Sequence, residues 1–401
     1  MMGRWEIRRT DLQEQGKMDS SYRNTGPSGR RQSTRLHPLH VLFPLILVCY
    51  ISCSDLGHSP DEIDWRIGSP EDVQLDGSVL TDLTSRIRSG SYGEIHSLLV
   101  VRHDKIVWEE YFRGSDRDAL HPLYSVTKSF ASTLLGIAVD QGKIGSLRQT
   151  VLSLFPEYTD LRNVDAYKRA MTLEDVLTMR SGIQWDEFST PYGDPRNPTS
   201  QLSASSDWMR FILDQPMSDP PGTRFRYNSG CTMLLSGIIR NSTHLQAEEF
   251  AREHLFAPLN IFEYQWERGA QGVSNTGWGL RLRPRDMAKL GRLFLHKGKR
   301  GGKQIVSNAW IENSTSSHVT LSGSFGYGFQ WWMLPLEGFT SHAPRQDDIK
   351  IAWGWGDQFI FVIPLLDMVV VSTAGNYSGP LQDQAITFVR DYVVRSVQDV
   401  R

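Results

Sequence analysis

Strand-forming segments lie near both ends of this chain with a long helical region between them, and this order restricts the possible folds more than any other feature. Residues 98–112 predict a β-hairpin, in which two β-rich runs flank a polar turn at His103-Asp104. Near the other end, residues 327–333, 359–363 and 368–373 are β-branched or aromatic runs, and a short turn separates the last two. Because these strands need a common hydrophobic core, we predict one antiparallel sheet completed by both chain ends.

The middle of the chain, about residues 125–320, is predicted to be helical. Residues 125–141 carry apolar side chains at helical spacing, and residues 172–179 begin with a capping box formed by Thr172 and Asp175. Further helical patterns cover residues 208–213, 232–240, 248–256, 284–296 and 381–397. The predicted fold class is therefore α+β, with helices packed on the sheet and a helical region inserted. Strands and helices do not alternate, which argues against a doubly wound parallel sheet.

The charge of the chain excludes one class of partner. Of its 43 basic and 45 acidic residues, eight and four respectively lie in residues 1–52, which leaves the remainder at about −6. A protein that binds the phosphate backbone needs a basic surface. Nucleic acid is therefore not an expected partner.

Residues 1–53 are predicted to be a signal or lipoprotein-type leader. A basic segment precedes an apolar run, about residues 41–51, that is too short to cross a bilayer comfortably. The run ends at Cys53, which resembles the lipidated cysteine of bacterial lipoproteins, although Tyr50 stands where that pattern has an aliphatic residue. We expect an exported bacterial protein, periplasmic or membrane-anchored, that meets a membrane only through such a lipid. Residues 54–80 are then a linker, and residues 81–398 form the folded domain.

The sequence contains no motif for a metal or an organic cofactor. HExxH, paired CxxC, GxxxxGK[ST] and GxGxxG patterns are missing, and so is the GxSxG elbow of α/β-hydrolases. Cys231 is the single cysteine after the leader, so it has no disulfide partner and is expected to pack as a small apolar residue. We therefore predict neither a metal site nor a cofactor.

Ser125 and Lys128 form the one Ser-x-x-Lys pattern in the chain. At positions i and i+3 of a helix, the two side chains lie on the same face and can touch. A serine hydroxyl becomes a useful nucleophile when a base takes its proton, and a lysine can be that base if burial lowers its pKa. By itself the pattern is short enough to occur by chance. The aromatic residues Tyr124 and Phe130 around it indicate a packed site, which a surface helix would not require.

Two later segments complete a candidate site. A turn at residues 221–230 contains Tyr227, whose hydroxyl can relay a proton to a leaving group. Residues 353–358 (WGWGDQ) lead into a predicted strand, and their glycines allow a substrate to approach the backbone closely. A strand N–H at that edge can form half of an oxyanion hole.

In this order and spacing, the three segments resemble the serine β-lactamase and penicillin-binding-protein superfamily, over roughly residues 80 to 395. The nearest branch is that of the class C-like hydrolases, which includes esterases and 6-aminohexanoate-dimer hydrolase. The resemblance implies that Ser125 is the acyl-enzyme nucleophile, Lys128 the general base and Tyr227 the proton relay. It also implies that the backbone N–H groups of Ser125 and Gln358 hold the oxyanion.

The chain departs from the family pattern at two places. The second motif reads Tyr227-Asn228-Ser229 instead of Tyr-Ser-Asn, so Ser229 stands where the family has its substrate-binding asparagine. The third motif, usually Lys-Thr-Gly, corresponds to Trp355-Gly356-Asp357. The missing lysine removes the cation that receives the carboxylate of a β-lactam, and an unpaired carboxylate is costly to bury.

Three functions are compatible with these residues. The favoured prediction is a serine hydrolase whose partner is a small uncharged ester or linear amide. A β-lactamase or D,D-peptidase would use the same nucleophile, and turnover of a cephalosporin would identify it. A catalytically silent sensor module would be acylated without turnover. Glu187 follows a glycine-bounded turn, and no motif supports it as a water-activating base of the class A kind.

Overall fold

The computed structural model describes residues 65–321, 325–336, 348–378 and 381–399. The predicted leader and the lipidation candidate Cys53 lie outside these residues, so export and lipid attachment stay predictions. No helix of the described residues is long and apolar enough to cross a membrane.

Both ends of the chain contribute to one large sheet, as predicted. Its nine strands lie in the order β1-β3-β2-β14-β13-β12-β11-β10-β9, and a three-stranded sheet, β4-β6-β5, and the hairpin β7-β8 lie beside it in the described residues. All strand pairs are antiparallel except β1 with β3. The strands are β1 (Arg66–Ile67), β2 (Ile95–Arg102), β3 (Lys105–Tyr111), β4 (His121–Pro122), β5 (Tyr264–Trp266), β6 (Leu280–Leu282), β7 (Lys299–Arg300), β8 (Lys303–Gln304), β9 (Val319–Thr320), β10 (Gly326–Tyr327), β11 (Trp332–Leu334), β12 (Ile349–Gly354), β13 (Gln358–Ile363) and β14 (Met368–Ala374).

The join between the two chain ends is the pairing of β2 with β14. Val100 lies opposite Val370 in this register, and every residue of β14 is buried. Strands buried on both faces are almost continuously apolar, which explains the valine-rich sequence of β14. The turn between β2 and β3 has positive φ at His103 and Asp104, as a two-residue hairpin turn requires.

Helices cover both faces of the sheet. They are α1 (Gly77–Arg88), α2 (Val126–Asp140), α3 (Ala166–Ala170), α4 (Leu173–Leu177), α5 (Pro198–Ala204), α6 (Trp208–Leu213), α7 (Ser229–Thr243), α8 (Ala247–Ala251), α9 (Pro284–Leu295), α10 (Asn308–Ser314) and α11 (Gln384–Phe388). Helices α1 and α11 pack with Val370 on one face. Helices α2, α7 and α9 pack with Val369 and Val371 on the other. The outcome is the predicted α+β architecture, with an antiparallel-dominated sheet between helical layers.

Three segments differ from the sequence-based expectation. Part of the predicted linker belongs to the fold, because Trp65 is buried and β1 pairs with β3. The expected strand at residues 327–333 is two short strands, β10 and β11, since the chain turns at Gln330, where φ is +64°. The closing helix is α-helical only in α11 and continues as a π-helical turn, Val389–Val394.

Candidate active site

Ser125 stands at the N-terminus of α2, on the side that faces the sheet. The preceding residue, Tyr124, has φ of +46°, a left-handed conformation that a bulky residue rarely adopts. The chain is held there from both sides. Leu123 N donates to Leu280 O at 2.9 Å, and Val126 N donates to Leu123 O at 3.1 Å. Such strain next to a partly exposed serine is typical of a functional position.

Lys128 lies directly below Ser125 and is almost completely buried. Its Nζ lies 3.1 Å from Ser125 Oγ, 3.0 Å from Ser229 Oγ and 2.7 Å from Gly277 O. Only 2% of the residue is exposed, and this burial lowers the pKa of Lys128 from 10.5 to about 8. Lys128 is therefore placed and tuned to exchange a proton with Ser125 near neutral pH.

The second motif enters the site at the start of α7, and its two polar residues face different ways. Asn228 is the N-cap of α7, where its side chain accepts from Cys231 N. Ser229, one residue later, points toward Lys128. The hydroxyl that reaches the lysine is therefore that of Ser229, while Asn228 has a structural role.

Tyr227 closes the other side of the lysine. Its ring centroid lies 5.2 Å from Lys128 Nζ, and the ring stacks between Phe188 and Trp332, with centroids 5.6 and 5.9 Å away. Burial and the nearby Glu187 carboxylate raise the pKa of Tyr227, while the Ser125 side chain lowers it. Burial prevails, so Tyr227 is a phenol that can donate its proton at neutral pH.

Glu187 is a buried carboxylate that touches the same cluster. Its Oε2 accepts from Trp185 Nε1 at 2.6 Å and from Ser229 N at 2.7 Å. Its Oε1 accepts from Ser229 Oγ at 2.8 Å and from Tyr192 OH at 3.0 Å. Only 1% of the residue is exposed. Four donors fill both oxygens, which leaves none for a water, and the class A kind of base is again unsupported.

The turn between β12 and β13 brings the third motif against Ser125. A Cβ on Gly354 would lie 2.3 Å from Leu123 O and 3.2 Å from Val126 N, so only glycine fits this approach. Beyond it, Trp355 packs edge-on against Tyr124 with ring centroids 5.3 Å apart. Gly356 has φ of +80° and faces the ring of Tyr377. Trp355 therefore lies beside the turn that precedes Ser125, with Gly356 next to it, and the substrate-binding role of both stays a prediction.

Gln358 is the first residue of β13 and pairs with Gly354. Its side chain is buried and bonded to the backbone N–H and C=O of Ala374. Gly354, across the hairpin from Gln358, lies against the backbone on both sides of Ser125. The oxyanion role of the Gln358 N–H stays a prediction, and the N–H of Trp355, next to Gly354, becomes a second candidate.

Sequence reasoning thus named most of the side chains that meet at this site. Ser125, Lys128, Tyr227 and Ser229 converge, and Trp355 lies at the rim. It gave Glu187 no role, because no motif marks it and its link to Ser229 spans 42 residues. Cys231 is buried as predicted. Among the described residues, no group of three or more His, Cys, Asp or Glu side chains is arranged to hold a metal ion.

A serine and a buried lysine at a helix N-terminus, beside an antiparallel sheet completed by both chain ends, define a serine hydrolase of the β-lactamase/transpeptidase-like fold. The sequence model of the family described as Beta-lactamase matches residues 95–391, and the chain belongs to this family. Within it, the chain is a serine hydrolase that acts on amide or ester bonds.

Relatives of this chain include hydrolases of several kinds. It is 28% identical over 304 residues to 6-aminohexanoate-dimer hydrolase of Paenarthrobacter ureafaciens. The matched region covers 71% of this chain and 70% of that protein. Its fold is similar to that of EstCE1, a hydrolase with promiscuous acyltransferase activity, with a TM-score of 0.65, 18% identity and coverage of 81% and 100%. It is also similar to a class C β-lactamase solved with cefoxitin, with a TM-score of 0.60, 17% identity and coverage of 80% and 98%.

Proposed function

We propose that this protein hydrolyses small uncharged esters or linear amides through an acyl-enzyme on Ser125, with Lys128 as general base. The observation that carries the proposal is the buried Lys128 Nζ, 3.1 Å from Ser125 Oγ, with its pKa lowered to about 8. A lysine in this state is neutral often enough near neutral pH to accept the serine proton.

The reaction has two steps. Ser125 Oγ attacks the carbonyl carbon, its proton passes to Lys128 Nζ, and the carbonyl electrons move onto the oxygen. The backbone N–H of Ser125, with that of Gln358 or Trp355, would bind this oxyanion. As the C–N or C–O bond breaks, Tyr227 gives its proton to the leaving group and is reprotonated from Lys128. Water then attacks the ester carbonyl and loses a proton to Lys128. The bond between the carbonyl carbon and Ser125 Oγ breaks, Lys128 returns the proton to Ser125 Oγ, and the carboxylic acid leaves.

The walls of the site favour an apolar acyl or leaving group. Trp355 packs against Tyr192, Tyr124 and Tyr377, with ring centroids 5.4, 5.3 and 4.8 Å away. The third motif has tryptophan and glycine where a β-lactam carboxylate would need a cation. The name of the 6-aminohexanoate-dimer hydrolase relative supports a linear amide, and that of EstCE1, described as a hydrolase with acyltransferase activity, supports broad acyl specificity.

The test is hydrolysis of p-nitrophenyl acetate and butyrate by the full-length protein, beside Ser125→Ala and Lys128→Ala. We expect both variants to lose roughly a thousandfold or more in kcat/KM, since nucleophile and base act as a unit. A fluorophosphonate should add to Ser125, as seen by mass spectrometry of the intact protein and its peptides. Retention of full activity by Ser125→Ala would overturn the proposal.

The same preparation separates the other functions. Efficient turnover of a chromogenic cephalosporin would identify a β-lactamase. Stable acylation of Ser125 without turnover of any ester or amide would identify a sensor module. We expect neither result, because the site provides a base and a proton donor for the complete cycle.

A further inference from the structure

The hydrogen bonds around Glu187 have a fixed direction. Trp185 Nε1 and the backbone N of Ser229 can only donate, and they occupy Oε2. Tyr192 OH donates to Oε1, and burial beside Glu187 raises the pKa of Tyr192, which keeps that proton on the phenol. Three of the four bonds to Glu187 are therefore donated to it. A carboxylate has no hydrogen to give, so the fourth bond, 2.8 Å long, is donated to Glu187 by the hydroxyl of Ser229.

The direction of the bond between Ser229 and Glu187 also determines the direction of the bond between Ser229 and Lys128. A serine hydroxyl has one hydrogen, and Ser229 gives it to Glu187, so Ser229 Oγ can only accept from Lys128 Nζ, 3.0 Å away. Gly277 O, 2.7 Å away, is a carbonyl and can also only accept. Two of the three polar neighbours of Lys128 Nζ are therefore obligatory acceptors.

A neutral amine has two hydrogens and one lone pair. When Lys128 gives its hydrogens to Ser229 and Gly277, the lone pair is left for Ser125 Oγ, which is the third neighbour at 3.1 Å. The charged amine fills all three positions with N–H donors. The same positions of Ser229, Gly277 and Ser125 thus suit both protonation states of Lys128. The two states differ only in the hydrogen between Lys128 Nζ and Ser125 Oγ.

We propose that Glu187 is a positioning residue that acts through Ser229 to turn the lone pair of neutral Lys128 toward Ser125. Glu187 touches neither the nucleophile nor the substrate site directly. This role rests on the proposed function, in which Lys128 is the base. It explains why a carboxylate is buried beneath a serine hydrolase site, where an unpaired charge would be costly.

The titratable groups that face Lys128 in the described part of the chain are Glu187, Cys231 and Tyr227. Burial raises the pKa of Cys231 to about 12, and that of Tyr227 is raised as well, so both are neutral in the range of interest. The Glu187 carboxylate raises the pKa of Lys128, against the larger effect of burial.

The test measures Ser125 acylation across pH in Glu187→Gln. The readouts are kcat/KM for p-nitrophenyl butyrate and the second-order rate of fluorophosphonate addition, from pH 5.5 to 10. Glutamine keeps the shape but brings an amide N–H that can donate to Ser229 and reverse the direction of the bonds. We expect the alkaline plateau to fall about 100-fold, the low end of the contribution of a positioned proton transfer. The acid limb of the pH–rate profile should move to lower pH, because the carboxylate that raises the pKa of Lys128 is gone.

Asp186→Asn is the matched control. It makes the same chemical change one residue earlier, on an exposed side chain, and asparagine keeps the acceptor for Phe188 N and Ser189 N. We expect its plateau and its acid limb to match those of the parent. A merely structural role for Glu187 would lower the melting temperature without moving the acid limb.

Ser229→Ala and the double variant keep the proposal testable if Glu187→Gln folds poorly. Because both residues act through one hydrogen bond, the double variant should be no slower than the slower single variant. Multiplicative losses, or a Glu187→Gln profile identical to that of the parent, would overturn the inference while the proposed function stands. A parent protein whose Ser125 does not react at all would overturn both.

Discussion

At the residue scale, the chemistry depends on how far burial changes Lys128. A lysine in water has a pKa near 10.5 and would be protonated at neutral pH, whereas the pKa of Lys128 is about 8. In the proposed mechanism the general base is the neutral amine of Lys128, so activity should follow the deprotonation of Lys128. Burial of Lys128 costs folding free energy, and the same burial lowers its pKa toward neutral pH.

This gives a pH dependence of known sign. We expect kcat/KM for p-nitrophenyl butyrate to rise about tenfold per pH unit below pH 8 and to level off above it, because the neutral fraction of Lys128 rises in that range. The measurement is initial rates from pH 5.5 to 10, with Ser125→Ala subtracted as the blank for spontaneous hydrolysis. A plateau already reached at pH 6 would contradict Lys128 as the base.

The sequence predicted the identity of these residues but not their environment. Ser125 and Lys128 share a motif and Tyr227 lies in an aromatic-rich turn, so each can be found by reading along the chain. Glu187 reaches Ser229 only after helix α7 packs against the segment that holds Trp185. Its contact is long-range, and no local pattern encodes it.

At the element scale, one glycine sets the distance between the sheet and the nucleophile. Strand β12 ends at Gly354, which lies against the backbone of the turn before α2. Backbone atoms on the opposite side cannot rotate away as a flexible side chain can. The β12–β13 turn therefore approaches Ser125 only with glycine at this position.

Gly354→Ala should consequently damage both stability and activity. The added Cβ meets Leu123 O at 2.3 Å, and overpacking of this kind costs about 1–3 kcal/mol of unfolding free energy. We also expect esterase activity to fall at least tenfold, since the turn must move away from Ser125. Urea unfolding and kcat/KM check the two effects. Gly145→Ala, where a Cβ has no neighbour within 4 Å, should change neither.

The elements themselves were largely predictable. The hairpin of β2 and β3, the strands β13 and β14, and helix α2 lie where periodicity places them, because each is a local pattern of burial. Helix α1 was missed. It buries Leu80, Leu83 and Ile87 at helical spacing, but it begins with Asp76, Gly77 and Ser78, which favour a turn.

At the scale of the whole molecule, Asp357 ties the third motif to the C-terminal helix. It lies in the β12–β13 turn with φ of +70°, and its carboxylate accepts from Asn376 Nδ2 and from the backbone N of Asp383 and of Gln384. Burial outweighs these bonds and raises the pKa of Asp357 from 3.8 to about 6. The last strand, the last helix and the site are thereby joined through one titrating group.

The raised pKa predicts the sign of a stability change. The folded state binds the Asp357 proton more tightly than the unfolded chain, so this contribution is fully present below pH 4 and is lost as pH rises through about 6. A pKa raised from 3.8 to about 6 corresponds to about 3 kcal/mol of unfolding free energy. Urea titrations at pH 4 and pH 7 give the unfolding free energies of the parent and of Asp357→Asn. Relative to the parent, the variant should be more stable at pH 7 than at pH 4 by roughly that amount. A difference independent of pH would show that Asp357 has an ordinary pKa.

The sequence by itself determined the fold class, the family and the candidate reacting side chains, because strands, helices and short motifs are encoded by neighbouring residues. Only the tertiary structure decided that Ser229 faces Lys128 while Asn228 caps a helix, and that Gly354, next to the third motif, touches the segment that holds Ser125. It also placed Glu187 beneath the site and lowered the pKa of Lys128. These properties depend on burial and on contacts between distant segments, which exist only once the helices have packed on the sheet.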